Sequence, residues 1–165
     1  MAVTKFDILL ERFYKRIEKD EKFFDYYGIS VERAVEIAQQ RATQYLIEVL
    51  DRLSGVPNVP VDFSDYDEDA REINFALKPK EKKLIVNLMF ETYMSRDKAL
   101  LHAFELSFTP NDLNVFSPAN ERNSYVNFMN DLEEENEIAL DDYCNRDRNT
   151  NAFVNMIDYA KYRGW

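Results

Sequence analysis

The scarcity of glycine is the feature that most constrains this chain. Only three of the 165 residues are glycine, and Gly28, Gly55 and Gly164 stand where a helix-like pattern breaks or the chain ends. Glycine adopts positive φ angles without steric cost, and phosphate-binding loops and two-residue hairpin turns both rely on such angles. The sequence therefore predicts a helical scaffold with few such loops and few tight hairpins.

Size and composition indicate one folded domain. The chain is 45% hydrophobic and 14% aromatic, which is enough for a core even though 32% of its residues are charged. No apolar run approaches the roughly 20 residues needed to span a membrane, and the N-terminus lacks the apolar stretch of a signal peptide. The single cysteine, Cys144, cannot form an internal disulfide. We expect a soluble intracellular protein that does not bind membranes.

The net charge of −10 is unevenly distributed along the chain. Residues 144–165 carry four basic and two acidic side chains, a sum of +2, so the preceding 143 residues sum to −12. An acidic body opposes a firm grip on nucleic acid, because such binding relies on Lys and Arg releasing counterions from phosphates. The charge suits a protein that lies near DNA without holding it, or ordinary solubilising charge.

The apolar residues of positions 4–19 predict a first helix. They recur at helical spacing and form one stripe of Phe6, Leu9, Leu10, Phe13, Tyr14 and Ile17. We expect Thr4 to be the N-cap, with Asp7 three residues later in a variant capping box. An aromatic cluster at 23–27 then interrupts the pattern, and it suits either a loop over the core or a binding patch.

A longer second helix is predicted up to Ser54, with Ser30 as its N-cap and Gly55 after its end. Its core face comprises Val31, Ala34, Val35, Ala38, Ala42, Tyr45, Leu46, Val49, Leu50 and Leu53. Ile37 and Ile47 fall off that face. They are either isolated surface residues, which are common, or part of a subunit interface, so we take both as candidate contact residues.

Residues 56–78 are expected to form a long connection between helices. Its acidic part, 65–69, departs from the calcium-loop pattern where Ala70 and Ala76 occupy the positions of the required glycine and glutamate. We therefore expect no calcium binding in this connection.

Three further helices are predicted in the rest of the chain. One begins at Pro79 and is apolar nearly all round over 84–90, which is typical of a central helix. A shorter one covers 98–106, and the last runs from about Ser117 to Tyr143. We find no alternating strand pattern and no internal repeat. The predicted fold is all-α, a bundle of about five helices with a long central connection and a C-terminal tail.

Residues suited to catalysis or metal binding are scarce. His102 is the only histidine, and Ala99 stands three residues before it, so the paired Glu-x-x-His motifs of di-metal bundles are absent. No nucleophile motif or glycine-rich nucleotide motif is present. A Mg²⁺ nuclease built from Asp and Glu alone is compatible with the composition, although acidic residues on solvated faces are the usual arrangement. We expect no enzymatic activity, no cofactor and no metal site.

Three stretches resemble a known protein family. They are TKFDILLERF with Arg16 and Ile17, then VDFSDYDED at 61–69 continuing to Tyr93, and DLNVFSPAN at 112–120 followed by the acidic helix to Tyr143. In this order, over roughly residues 4–143, they resemble the small helical head–tail connector proteins, also called adaptors, of siphophages and prophages of Gram-positive bacteria.

The resemblance implies a helical protein that assembles without catalysis. Such connectors form a ring beneath the portal protein and join the capsid to the tail-side neck proteins. The resemblance suggests twelve copies, whose summed charge of roughly −120 would repel passing DNA rather than bind it. The implied location is the neck of the virion, after assembly in the host cytoplasm.

The resemblance ends near Tyr143, which divides the chain into a connector domain at 1–143 and a docking tail at 144–165. The tail joins positive charge to aromatic residues, the types that dominate interface energies. Its candidate contacts with a neighbouring subunit or the portal are Arg146, Arg148, Phe153, Tyr159, Tyr162, Arg163 and Trp165. Truncation after Tyr143 is then expected to leave a folded monomer. The alternative is that 153–157 folds back as one more bundle helix.

A second functional interpretation belongs to a different class. A small regulatory or chaperone-like helical protein would bind one partner through an amphipathic groove. Assembly into a large ring would favour the connector, whereas a stable monomer would leave either a partner-binding protein or a connector that forms its ring only on the portal.

Overall fold

Four helices and three short strands form the structure that the computed structural model describes for residues 3–17, 28–107 and 119–154, with side chains outside 97–122. They are β1 (Thr4–Lys5), α1 (Phe6–Ile17), α2 (Val31–Ser54), β2 (Tyr66–Asp67), β3 (Glu72–Ile73), α3 (Pro79–Ser107) and α4 (Ala119–Cys144). The cluster at 23–27, the His102 side chain, and four predicted tail contacts (Tyr159, Tyr162, Arg163 and Trp165) lie outside the described residues.

The predicted helical class is confirmed, but the bundle of five helices is corrected. The helices expected over 79–94 and 98–106 are one continuous α3 of 29 residues. The stretch between them is polar yet contains neither proline nor glycine. Nothing there removes a backbone hydrogen bond or clashes with the preceding turn, so the helix continues through it.

The absence of strands was also wrongly predicted. The central β3 pairs antiparallel with β1 on one side and with β2 on the other, so that Ile73 lies opposite both Thr4 and Tyr66. Each strand has two residues, too few to produce the alternation by which strands are recognised in a sequence. This sheet ties part of the long connection to the start of the chain.

Thr4 has a different role from the predicted N-cap. Its buried hydroxyl donates a hydrogen bond to the Phe75 carbonyl (3.0 Å) and accepts one from the Leu77 N–H (2.8 Å). The first N–H of α1, from Phe6, instead donates to the carbonyl of Arg71, at 3.0 Å. A backbone carbonyl of the connection therefore takes the place of a capping side chain, because it accepts the hydrogen bond of an N–H that has no acceptor within α1.

The predicted boundaries of α2 are confirmed. Ser30 has an extended backbone and its hydroxyl accepts a hydrogen bond from the Arg33 N–H at 3.3 Å, while Gly55 follows the last helical residue. The predicted core face needs correction at its start. Val31 is 76% exposed and Val35 is 47% exposed. The buried positions of α2 begin at Ala38, so its first two turns extend beyond the packed core.

The central position predicted for the helix that begins at Pro79 is confirmed. Helix α3 contacts α1, α2 and α4. Its buried side chains include Leu84, Ile85, Val86, Leu88, Met89 and Tyr93. A helix with neighbours on several sides has no wide polar face, which explains its apolar sequence. Among the described residues, no helix is long and apolar enough to cross a membrane.

One buried polar contact joins three of the helices. The Glu91 carboxylate on α3 accepts from the Arg52 guanidinium on α2 (2.6 Å) and from the Asn136 amide on α4 (2.7 Å). Each carboxylate oxygen of Glu91 thus has one donor, Oε1 from Arg52 and Oε2 from Asn136. These hydrogen bonds offset the free-energy cost of burying the carboxylate. The contact thus joins α2, α3 and α4 through one buried carboxylate.

Replacement of Thr4 tests the link between the sheet and the connection. Thr4→Val keeps the shape of the side chain but leaves the Phe75 carbonyl and the Leu77 N–H without their partner. We expect it to lower the free energy of unfolding by about 1–3 kcal/mol, measured by urea denaturation. Thr4→Ser retains the hydroxyl and is the matched control, with a smaller loss. Equal losses in the two variants would contradict the role of the hydroxyl.

Candidate interaction surfaces

Glu81 is a fully buried carboxylate at the first turn of α3. It accepts a hydrogen bond from the backbone N–H of Lys78, at 2.6 Å, which is the return half of a capping box. It also accepts from the Tyr143 hydroxyl on α4 (2.9 Å) and from two nitrogens of Arg148 (2.6 and 3.0 Å). One side chain therefore holds together the start of α3, the end of α4 and the segment that follows α4.

These contacts determine the charge state of the cluster. Burial by itself would raise the pKa of Glu81, but the hydrogen bonds from Arg148, Lys78 and Tyr143 outweigh it, so the pKa is lowered from its ordinary value. Burial, together with the charge and hydrogen bond of Glu81, raises the pKa of Tyr143 far above the usual range. The tyrosine remains a donor, and the glutamate and Arg148 form a charged pair.

Residues 145–154 form a compact turn after α4. The backbone N–H of Asp147 donates to the Ala152 carbonyl (2.8 Å), and that of Val154 donates to the Asn145 carbonyl (2.9 Å). Within the turn, the Asp147 carboxylate accepts from the N–H and the hydroxyl of Thr150, at 2.6 and 2.8 Å. These local bonds give the segment a defined conformation without a helix.

Three predicted contact residues lie in this turn, and all three have contacts within the chain. Arg148 binds Glu81, donates to the Ala76 carbonyl (2.7 Å) and lies 5.7 Å from the Phe75 ring centre. Arg146 pairs with Asp142 at 2.6 Å and stacks 3.9 Å from the centre of the Phe153 ring. Phe153 is still half exposed. The first part of the proposed tail is thus attached to the body.

A groove of about 750 Å³ separates the first turns of α3 from the last turns of α4, and the 145–154 turn forms part of its wall. Leu84 and Ala139 contribute apolar surface. Lys83, Asn87 and Glu135 contribute polar groups. This is the described feature that fits the amphipathic groove of the alternative function.

A second, smaller cleft of about 270 Å³ lies between α1 and α3. Its walls are Arg12, Arg16, Lys82, Lys83, Val86 and Asn87, so four basic side chains line it and no acidic one does. The sequence contained the signal for this cleft. Residues 78–83 read KPKEKK and carry +3, which makes them a second positive segment besides the tail. A comparison of the tail with all preceding residues hides this segment, because the many carboxylates of the body outweigh it.

The acidic connection uses its carboxylates to build turns. Asp62 accepts from the N–H and hydroxyl of Ser64, at 2.9 and 2.6 Å, and these bonds lower the pKa of the Asp62 carboxyl. Asp65 accepts from the Asn74 amide at 2.8 Å. The expectation that this connection binds no calcium stays a prediction.

Large exposed apolar side chains occur on three of the described helices, beginning with Ile8 on α1. On α2 the core stripe continues outward through Val35 and Val31, and on α4 Phe128 and Ile138 are exposed. The predicted contact residues Ile37 and Ile47 are half-buried and lie outside the core cluster. Val31 and Val35, which were predicted to be core residues, are therefore more exposed than Ile37 and Ile47, which were predicted to be contact residues.

Comparisons of the chain with protein-family models, with curated proteins and with solved structures give no match.

The pair formed by Glu81 and Arg148 is testable by a double-mutant cycle. Glu81→Gln and Arg148→Met, singly and together, should show a coupling of about 1–3 kcal/mol in the free energy of unfolding at pH 7. The exposed pair Glu11–Lys15 (2.8 Å) is the matched control and should couple much less. A Glu81–Arg148 coupling no larger than that of the control would contradict the proposed role.

The same pair predicts a pH dependence. Because the folded pKa of Glu81 is lowered, its contribution is present above the ordinary value of 4.5 and is lost as pH falls through the folded pKa. The difference in stability between the wild type and Glu81→Gln should therefore shrink below pH 4.5. A difference that stays constant or grows on acidification would contradict the ion pair.

Proposed function

We propose that this protein is a phage head–tail connector, a structural subunit that forms a ring beneath the portal and joins the capsid to the tail-side neck proteins. It assembles in the host cytoplasm, resides in the virion neck and catalyses no reaction. Two lines of support bear on the proposal. One is the resemblance of residues 4–143 to that family, and the other is the distribution of apolar and charged surface over the folded chain.

The stripe on α2 is the observation that carries the proposal. Val31, Val35 and Ala38 lie within about 60° of one another around the helix axis, since each residue turns the helix by about 100°. Only Ala38 is buried in the core, and the two valines continue its line into solvent. Exposed apolar surface that continues a core stripe is typical of a site completed by another chain. A ring subunit needs such a surface in addition to its own core.

The charge of the chain fits a conduit for DNA. A net charge of −10 on each subunit repels phosphate, so DNA passes a ring of such subunits without being held. Helix α4 contributes strongly to this charge, with Asp131, Glu133, Glu134, Glu135, Glu137, Asp141 and Asp142. A wall that bound phosphate tightly would impede passage.

The alternative is a regulatory or chaperone-like protein that binds one partner, and the groove between α3 and α4 favours it. A groove of about 750 Å³ is in the size range that accommodates ligands or peptide side chains. In this alternative the exposed stripe on α2 is incidental, and a single partner binds to the groove.

Substitution in the stripe separates the two functions. Val31→Glu with Val35→Glu places two charges in the exposed stripe and should abolish ring formation and binding to the portal protein of the same genome. The circular dichroism spectrum should remain helical, because neither side chain is in the core. Light scattering and co-sedimentation with portal rings give the readouts. Gln40→Glu, on the opposite face of α2, is the control and should assemble normally.

Each outcome of this experiment favours one function. Loss of assembly confined to the stripe variant supports the connector. A variant that assembles and binds portal as the wild type does would contradict the assigned surface, and a wild type that never binds portal would contradict the connector itself. A partner lost only on substitution in the groove, for example Ala139→Glu at an exposed position of its wall, would support the alternative.

Truncation at two positions tests whether residues 144–154 stabilise the fold while residues 155–165 bind the portal. Ending the chain after Tyr143 removes Arg148 and leaves the buried Glu81 charge without its cation, so we now expect a loss of about 2–4 kcal/mol in the free energy of unfolding. Ending it after Val154 keeps this contact and should preserve stability. If residues 155–165 are the docking element, the second truncation should retain the fold and lose portal binding. Equal stability of the two truncated chains would contradict the assignment.

A further inference from the structure

The cations of this acidic protein differ in whether a carboxylate lies beside them. The described ion pairs use Lys5, Lys15, Arg33, Arg52, Arg71, Arg146 and Arg148. The four cations of the cleft between α1 and α3 have no carboxylate within ion-pair distance in the described part of the chain. Lys78, Lys80 and Arg96 donate to carbonyl, amide or hydroxyl oxygens. The cleft thus brings together four cations without a carboxylate partner on a chain of net charge −10.

The fold holds this positive charge in a fixed position. Arg16 donates to the Asn87 amide oxygen on α3, and its guanidinium lies 4.6 Å from the centre of the Phe90 ring. Burial lowers the pKa of Arg16, while the charge of Glu135 opposes that shift. Lys82 and Lys83 come from the first turns of α3, and Arg12 lies one turn before Arg16 on α1. Four like charges in one cleft repel each other, so an anionic partner would relieve this repulsion.

The connection at 61–70 is a negative segment with no cation of its own that is built from turns and so can enter a cleft, whereas the longer acidic run at 131–142 lies along helix α4. The connection contains Asp62, Asp65, Asp67, Glu68 and Asp69 and no Lys or Arg. Glu68 and Asp69 lie at the turn between β2 and β3 and are exposed. Unlike the three other carboxylates, these two make no side-chain hydrogen bond in the described structure. The hairpin therefore presents two free carboxylates at its tip.

The cleft and the hairpin lie on different sides of α1. Asp7, beside the connection, contacts Arg71 at 3.2 Å. Arg12 and Arg16 are rotated from Asp7 by about 140° and 180° around the helix axis, at about 100° per residue. A chain cannot bring its own hairpin tip into its own cleft in this arrangement. A second copy can, and two complementary surfaces on different sides of one subunit produce a head-to-tail contact, which closes into a ring when the rotation between subunits allows it.

We propose that the cleft formed by Arg12, Arg16, Lys82 and Lys83 binds the acidic hairpin tip, Glu68 and Asp69, of a neighbouring copy of this chain. The inference deepens the connector function proposed above, on which it rests, by naming a contact between adjacent subunits. Opposite charges steer the two copies together and set their orientation, while the apolar stripe on α2 supplies a separate surface.

Charge reversal tests the contact from both sides. One variant carries Arg12→Glu and Lys83→Glu, and a second carries Glu68→Lys and Asp69→Lys. Each variant alone should self-associate at least about tenfold more weakly than the wild type in sedimentation velocity at low salt, since each juxtaposes like charges. A mixture of the two should associate again, because each variant offers the surface that the other lacks. Wild-type association should weaken as salt is raised.

The controls change net charge equally at other exposed sites. Lys15→Glu with Arg33→Glu matches the first variant, and Glu134→Lys with Glu137→Lys matches the second. Both should associate as the wild type does. Equal loss in the controls would mean that only net charge matters, and failure of the mixed variants to associate would mean that the hairpin is not the occupant. A monomeric wild type under all conditions, or binding of duplex DNA lost only in the cleft variant, would also overturn the proposal.

Portal binding, measured in the same variants, separates this inference from the proposed function. Restored association of the mixed variants supports the contact whether or not portal rings bind. A monomer that binds portal as a single copy would contradict the contact and leave the connector function standing. A self-associating chain that never binds portal would contradict the connector function and leave the contact standing.

Discussion

The hydrogen bonds to the buried Glu81 carboxylate are the constraint on which the rest of the structure depends. A carboxylate without contact to water is tolerated only if charged and polar donors replace its hydration. Here Lys78 supplies a backbone N–H, Tyr143 a hydroxyl and Arg148 a bidentate guanidinium. Because the donors come from the first turn of α3, from α4 and from the segment after it, none of these elements can move without uncovering the charge. The three elements are thereby tied together at one end of the bundle.

Local signals in the sequence predicted much of the fold. Ser30 and Gly55 marked the ends of α2, Pro79 marked the start of α3, and the all-round apolar character of α3 predicted its central position. These predictions succeeded because caps, proline and periodicity depend on neighbouring residues alone. The pairing of β1 with β3 and the role of Thr4 depend on contacts across about 70 residues, which no local pattern reveals. The pairing of β2 with β3 is local, but two-residue strands are too short to show alternation. The exposure of Val31 likewise depends on where the neighbouring helices end.

For the candidate surfaces, too, the sequence shows what neighbouring residues determine and misses what long-range contacts determine. Arg148 reads in sequence as a free cation in a basic tail, because nothing in composition shows that Glu81 is buried beside it. The cleft between α1 and α3 was partly visible as the KPKEKK segment, but Arg12 and Arg16 join it only through the packing of α1 on α3. Charge counted along a chain therefore locates positive segments, whereas the structure distinguishes those neutralised within the chain from those left for a partner.

A subunit with complementary charge on different sides is suited to repeated head-to-tail assembly, which unites the fold, the charge distribution and the proposed function. The most direct test of this account is a cryo-EM map of the assembled protein at side-chain resolution. The account predicts a closed ring in which Glu68 and Asp69 of one copy lie within about 4 Å of Arg12 and Lys83 of the next, the usual distance of an ion pair. A ring or dimer in which the cleft faces solvent, or in which two clefts face each other, would contradict it.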